Sequence, residues 1–351
     1  MAAGFKKATV TSGDVAATLT NYPTYVDLSR LGITTLAEAQ SVRVYADSGK
    51  STEWAREIVS ATEMHVLVPS LTSSTEIFVD WDGVRSDYAV GATYGRNAVW
   101  VDYVGVWHLE DLTSIVDSTG NGLTLTNDGA SEVTAKIGKG GEFNKAQADQ
   151  LSRSFSAGSD LDMTGDYHFS CLYYQTATVQ GTNQHGICGI WGGSSSDRKF
   201  IHVLAANGSK ERMRVLTANS AQVNTNYYSS DFDEQLDTWV RYGFEIDVSA
   251  RDVAFMVENN FEVIAGTGAS SLNSVTNAFF VGNFRDSSFD NVNAHMDEVR
   301  VSSILFGENR SKTENKNQID EATFWGTWTD AGGGGGGGAA QAARRGAVMM
   351  M

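Results

Sequence analysis

Two acids stand side by side in HMDEVRVSS (295–303), near the end of the β-rich part of the chain. Such carboxylates could cleave a glycosidic bond, hold a cation, or only edge a strand. Retaining glycoside hydrolysis needs a nucleophile and an acid/base carboxyl roughly 5–5.5 Å apart. On a strand, residues at even spacing share a face and can supply that pair. GFEIDVSARD (243–252) puts Glu245 and Asp247 on one face, but Ser249 and Ala250 stand where the acid/base is needed. Strict alternation in HMDEVRVSS sends Asp297 and Glu298 to opposite faces, so they would not converge on one bond. No G-x-S-x-G, H-E-x-x-H or C-x-x-C pattern occurs. The six histidines (65, 108, 168, 185, 202, 295) are dispersed, with no pair at metal-ligand spacing. His108, after Trp107, reads as a framework histidine. The expectation is a protein that is not an enzyme.

Side chains suited to holding a ligand are present. Sugar rings stack on aromatic faces while polar side chains fix their hydroxyls. The candidates are Tyr173 and Tyr174, Trp191 in IWGGSSSDRK, and Tyr227 and Tyr228 in NTNYYSSDF. The last stretch reads as a loop, which would expose both tyrosines. Trp191 and Tyr173 read more readily as core, and Trp100 and Trp107 as packing of a domain junction.

The elements that must position these residues are strands. Short apolar runs recur every ten residues or so, broken by Gly, Asn, Asp and Ser, with 36 glycines and two prolines in 351 residues. That is a β-sandwich profile. Six runs fill the first hundred residues: FKKATVT, TYVDLS, SVRVYAD, WAREIVS, EMHVLVPSL and TEIFVDWDG. One short helix, LAEAQ, is predicted after Thr34 or Thr35 as N-cap. About a dozen further strands run from YVGVWHLED (103–111) to HMDEVRVSS, enough for one large sandwich. A hairpin turning near residues 179 and 180 would set Cys171 opposite Cys188. That leaves open a disulfide or two buried free thiols.

The formal charge of −16 repels nucleic acid and anionic membranes. No stretch approaches the length of a membrane span. The opening MAAGFKKATVT has no hydrophobic signal region. The expectation is therefore a trimmed signal or a route outside secretion, as for virion proteins.

The order FKKATVT, NYPTYVDLS, VRVYADSG, VLVPSLTSSTEIFVDW, then AVW and YVGVWHLED resembles a domain of unknown function that precedes laminin-G-like, concanavalin A-like jelly rolls in prokaryotic and phage surface proteins. VDSTGNGLTLTNDG, KIGKGGEFN, FSCLYYQT, TWVRYGFEIDV and HMDEVRVSS resemble the jelly roll that follows. The resemblance covers residues 5 to about 310. It implies an all-β chain: a small antiparallel β-sandwich (1–100), then a concanavalin A-like/laminin G-like jelly-roll sandwich (101–308). A polar linker segment (309–330) and a Gly-rich flexible tail (331–351) would complete it.

Similar jelly rolls bring the loop after their first strand close to the last strand, which would set Asp117 of VDSTGNG near Asp297. By alternation Asp297 shares a face with Val299 and Val301. Burying an unpaired carboxylate costs several kcal/mol, so it needs a cation, an arginine or backbone donors. The expectation is one structural calcium ion on Asp117 and Asp297, with Asn121 as a lesser ligand and Asp290, Asn291 and Asn293 upstream. The alternative is an Asx turn, with the acid paired to a backbone amide or Arg.

Together these readings point to a non-catalytic structural or adhesion protein. Its expected place is a phage virion, as a tail appendage or capsid decoration, with a surface glycan or another virion or surface protein as partner. A homo-oligomer is compatible; nucleic-acid or membrane partners are not. The alternatives are a secreted bacterial cell-surface carbohydrate-binding protein and a degenerate glycoside hydrolase.

Overall fold

The computed structural model describes residues 3–332 apart from 12, 179–183, 193, 195–196, 220, 267–270 and 283–292. Alternating apolar residues produce strands as expected. The N-terminal lobe contains β1 (Gly4–Thr9), β2 (Leu19–Asp27), β3 (Arg43–Tyr45), β4 (Glu53–Trp54), β5 (Arg56–Ile58), β6 (Glu63–Leu71) and β7 (Glu76–Trp81). One sheet runs β1-β7-β3-β4 and the other β2-β6-β5, all antiparallel. Val26, Val44, Val66 and Val79 meet between them. LAEAQ forms α1 (Leu36–Gln40), with Thr35 Oγ1 accepting from the Glu38 amide at 3.3 Å, as predicted.

The second lobe holds β8 (Gly105–Trp107), β9 (Thr126–Asp128), β10 (Ser131–Thr134), β11 (Lys139–Phe143), β12 (Gln150–Phe155), β13 (Tyr167–Gln175), β14 (Gln184–Ile190) and β15 (Phe200–Asn207). It continues through β16 (Lys210–Ala218), β17 (Asn224–Tyr228), β18 (Trp239–Asp247), β19 (Asp252–Val257), β20 (Asn260–Ile264), β21 (Asn277–Gly282) and β22 (Ala294–Ser302). An eight-stranded sheet, β10-β11-β22-β13-β18-β19-β20 with β8 also on β22, faces a seven-stranded sheet, β17-β16-β15-β14-β21-β12-β9. Phe169, Tyr242, Phe244 and Val301 from the first pack against Phe200, Leu204, Met213 and Phe279 from the second. This is the expected all-β sandwich. Because β13 and β14 lie in different sheets, Cys171 and Cys188 are not hairpin partners; both are buried free thiols. The turn residues expected between them lie outside the described residues.

Strict alternation fails at one informative place. Leu172 of β13 faces Asp297, whereas Ser170 faces Arg300, so β22 bulges at Glu298 and Val299. Glu298 takes φ +52°, rare for a residue with a side chain. Met296 and Val299 therefore both reach the core. Asp297 does not share their face, which corrects the face assignment expected from spacing alone.

The segment expected as a polar linker is structured. It forms α2 (Gly307–Ile319), α3 (Glu321–Phe324) and β23 (Thr329–Asp330), and β23 extends the first sheet beside β1. Phe324 and Trp325 are fully buried in the N-terminal core. Helix α2 has hardly any apolar side chains, which is why composition hides it, yet Arg310, Glu314 and Asn317 on it are buried. Its partners are polar too: Asn317 exchanges hydrogen bonds with the Tyr25 backbone at 2.6 and 3.0 Å, pairing the helix to β2. Most of the Gly-rich tail lies outside the described residues.

Candidate functional site

The three residues expected to hold calcium are engaged otherwise. Asp117 Oδ1 accepts from the Val106 and Thr119 amides at 3.1 and 3.0 Å, and Oδ2 from Thr119 Oγ1 and the Leu123 amide at 2.7 and 3.0 Å. Asn121 donates to the Val104 carbonyl at 2.9 Å. Asp297 is fully buried and accepts only the Glu298 amide, at 2.7 Å, leaving Oδ2 without a partner. Burial first, then Glu298 and Glu63, push its carboxyl well above the usual range. Three amides and one hydroxyl thus occupy the Asp117 carboxylate, and Asp297 does not share a bond with it. The Asx turn accounts for Asp117. Asp290 and Asn291 lie outside the described residues.

The aromatic candidates are redistributed. Residues 224–228 are strand β17 rather than a loop, so Tyr227 turns into the core at 5% exposure. Tyr228 stays on the surface under the Arg212 guanidinium, 4.1 Å from its ring centre. Trp191 is buried in a small cluster with Ile201, Val203 and Leu216, Arg198 lying over its ring at 4.6 Å. Trp107 belongs to the jelly-roll core, and Trp100 packs the junction with Ala55, Tyr103 and Val106. Glu245 is buried and accepts from His168 Nδ1 and the Phe306 and Gly307 amides, latching the chain as it leaves the sandwich. Asp247 closes a turn through Ser249 and Ala250. This pair is not aimed at a shared substrate atom.

Register assembles a surface that the one-dimensional reading missed. Ser131 faces Glu142, Glu142 faces His295, His295 faces Tyr174, and Tyr174 faces Trp239. The adjacent residues Tyr173, Val240 and Ala294 enter the core, so this row lies on the outer face. It crosses five strands, roughly 19 Å at the usual inter-strand spacing. Tyr174 and His295 stack at 5.2 Å with an 8° tilt, and Trp239 lies 5.4 Å from Tyr174. All three rings are half-buried, while Glu142 and Ser131 are exposed. Burial, opposed by Glu142, holds His295 below its ordinary pKa, so it is neutral near pH 7 and can both donate and accept. Three aligned rings beside a carboxylate and a hydroxyl can stack and hydrogen-bond a polyhydroxylated ligand.

A second constellation lies at the junction of the lobes. Glu57 of β5 and Glu63 and His65 of β6 meet His108, just after β8, and Glu298 of β22. His65 Nε2 is 3.1 Å from Glu63 Oε1 and 3.7 Å from Glu298 Oε1; His108 Nδ1 is 3.4 Å from Glu63 Oε1 and in close contact with Glu298. The two imidazoles stack at 4.5 Å beside Trp100. Burial pushes Glu63 well up and His65 well down. For His108, burial is overcome by Glu298 and Glu57, which raise it. Leu109 and Glu298 both hold left-handed backbone, φ +55° and +52°, conformations that persist only where the surroundings impose them. The one sequence signal for this group was E-x-H at 63–65, two residues on one strand face. Their partners come from two distant segments, and His108 and Glu298 are 190 residues apart.

No protein-family model matches the chain, and no curated protein matches it. Solved structures do. The receptor binding domain of botulinum neurotoxin mosaic serotype C/D aligns with TM-score 0.50 and 8% identity, over 62% of this chain and 51% of that one. The binding domain of Paraclostridial Mosquitocidal Protein 1 aligns with TM-score 0.50 and 8% identity, over 62% and 53%. The chain thus spans about half the length of these structures. Identity this low shows a shared β-sandwich fold.

Proposed function

We propose that the protein is a non-catalytic binding module whose outer-face row of Trp239, Tyr174, His295, Glu142 and Ser131 receives a surface glycan. The single observation that carries this reading is the cross-strand alignment of three half-buried rings with a carboxylate and a hydroxyl on rigid strands. Rigid amphipathic rings contribute contact area at low entropic cost, and adjacent polar groups orient the ligand. The fold neighbours are named as receptor-binding and binding domains, which supports a binding role for the sandwich. The finer placement, a virion appendage or capsid decoration, rests on the resemblance to phage and prokaryotic surface proteins. A glycan array probed with the full chain and with W239A tests the site. Signals present for the full chain and lost in W239A support it; an array without signals, or signals untouched by W239A, overturns it. Mass spectrometry of purified phage particles tests the placement, and absence from every particle preparation would sink it.

A further inference from the structure

We propose that Glu63, His65, His108 and Glu298 form a binding site for a divalent transition cation of the zinc type, stapling the N-terminal lobe to the jelly roll. The four candidate ligand atoms, two imidazole nitrogens and two carboxylate oxygens, lie within 4.8 Å of one another. Zinc bound at 2.0–2.2 Å to four tetrahedral ligands sets them about 3.3–3.6 Å apart. The separations of 3.1, 3.4 and 3.7 Å fall around that range. The close His108–Glu298 contact must open, and the 3.1 Å His65–Glu63 separation must widen slightly. Two imidazoles among four ligands suit zinc, copper or nickel and not calcium or magnesium, which take oxygen alone.

Three independent observations point the same way. First, Glu63 Oε2 has no hydrogen-bond partner although Glu63 is 1% exposed. A buried acceptor left open costs about 1–3 kcal/mol, and bidentate coordination would satisfy it. Second, the outer shell is built as metal sites build it: His108 Nε2 lies 3.1 Å from Glu57 Oε2, the carboxylate that orients a ligating imidazole. Glu57 is itself fixed by Trp100 Nε1 at 2.5 Å and Ser118 Oγ at 2.6 Å, and Glu298 by Arg300. Third, the cluster is rich in acids: Glu57, Glu63, Asp297 and Glu298 are buried together with one guanidinium, Arg300, and two imidazoles. A divalent cation would compensate carboxylates held so close together. A cleft of about 260 Å³ reaches Glu57 and His108, lined by Glu110 and Asp111 and by Arg96 and the Arg56–Asp87 pair, and gives a cation a way in.

The experiment uses the full chain, stripped by chelator and dialysed against Co2+ or Zn2+. Expected are one ion per chain by elemental analysis and the intense visible absorption of four-coordinate cobalt. E63Q, nearly isosteric, should keep its circular dichroism and lose about tenfold or more in affinity. H108Q should abolish the spectrum; should it not fold, E63Q and the wild-type stoichiometry carry the decision. Substoichiometric metal, a weak octahedral spectrum from surface carboxylates, or an E63Q spectrum and affinity equal to wild type would each overturn the proposal.

Discussion

The boundary between the lobes contains two buried acidic knots with opposite bookkeeping. Around α2, Glu314 accepts Tyr103 Oη at 2.7 Å and pairs with Arg241 and Arg310. Arg310 also donates to the Thr20 and Asn21 carbonyls and lies 3.8 Å over Phe306. Around His65 and His108, carboxylates outnumber the cations and two of their oxygens, Glu63 Oε2 and Asp297 Oδ2, stay open. The first knot is electrically complete, because Asp102, 3.5 Å from Arg310, sets two carboxylates against two guanidiniums. The second is not, though the same two lobes enclose both. Burial by itself therefore does not mark a ligand site; burial with unmatched charge and open acceptors does.

The sharpest way to break this contrast is E314A. It strands Arg241 and Arg310 in the interface and should cost about 3–5 kcal/mol, read by urea unfolding. A loss below 1 kcal/mol would mean that the balanced knot is ornamental. Zinc at a hundred times its Kd should stabilise the wild type by about 2.7 kcal/mol, and by a similar amount in any folded E314Q, because Glu314 bonds none of the four proposed ligands and the knots share only the field of Arg300. Calcium at the same concentration should do nothing.

Acid separates the knots further. Burial would raise the Glu314 carboxyl, but Arg241, Arg310 and Arg300 outweigh it and hold it at about 2, against an ordinary 4.5. A folded-state pKa below the unfolded one stabilises above the unfolded value. This contribution is whole above about pH 4.5 and drains away as pH falls towards 2. Wild-type stability should therefore decline more steeply than that of E314Q over this window; parallel curves would refute the ion-pair account. The smallest effect should come from W239A. Among the described residues its ring pairs with Tyr174 and His295 on the outer face, so stability should change by roughly 0.5–1.5 kcal/mol while glycan binding disappears.

Most strands were legible because a period of two survives in the chain wherever one sheet face is buried, as in SVRVYAD and EMHVLVPSL. The Thr35 cap was legible for the same local reason. What misled was also local: HMDEVRVSS read as a regular strand, whereas a bulge at Glu298 resets its faces. NTNYYSSDF read as a loop because polar residues flank its tyrosines, whereas pairing with β16 makes it an edge strand. Residues 309–330 read as a linker because apolar content is the usual signature of a buried helix; α2 buries polar groups against polar partners instead.

By itself, then, the amino-acid order determined the class of the molecule, an all-β sandwich protein, with free thiols as one of two open readings. Side-chain alternation and turn residues act over a few positions and need no knowledge of distant neighbours. Only the tertiary structure decided which residues meet. Ser131, Glu142, His295, Tyr174 and Trp239 form one row, and Glu63, His65, His108 and Glu298 one cluster, through strand register and lobe docking. Those are set by the summed burial of whole faces, a long-range quantity that no short stretch of sequence carries.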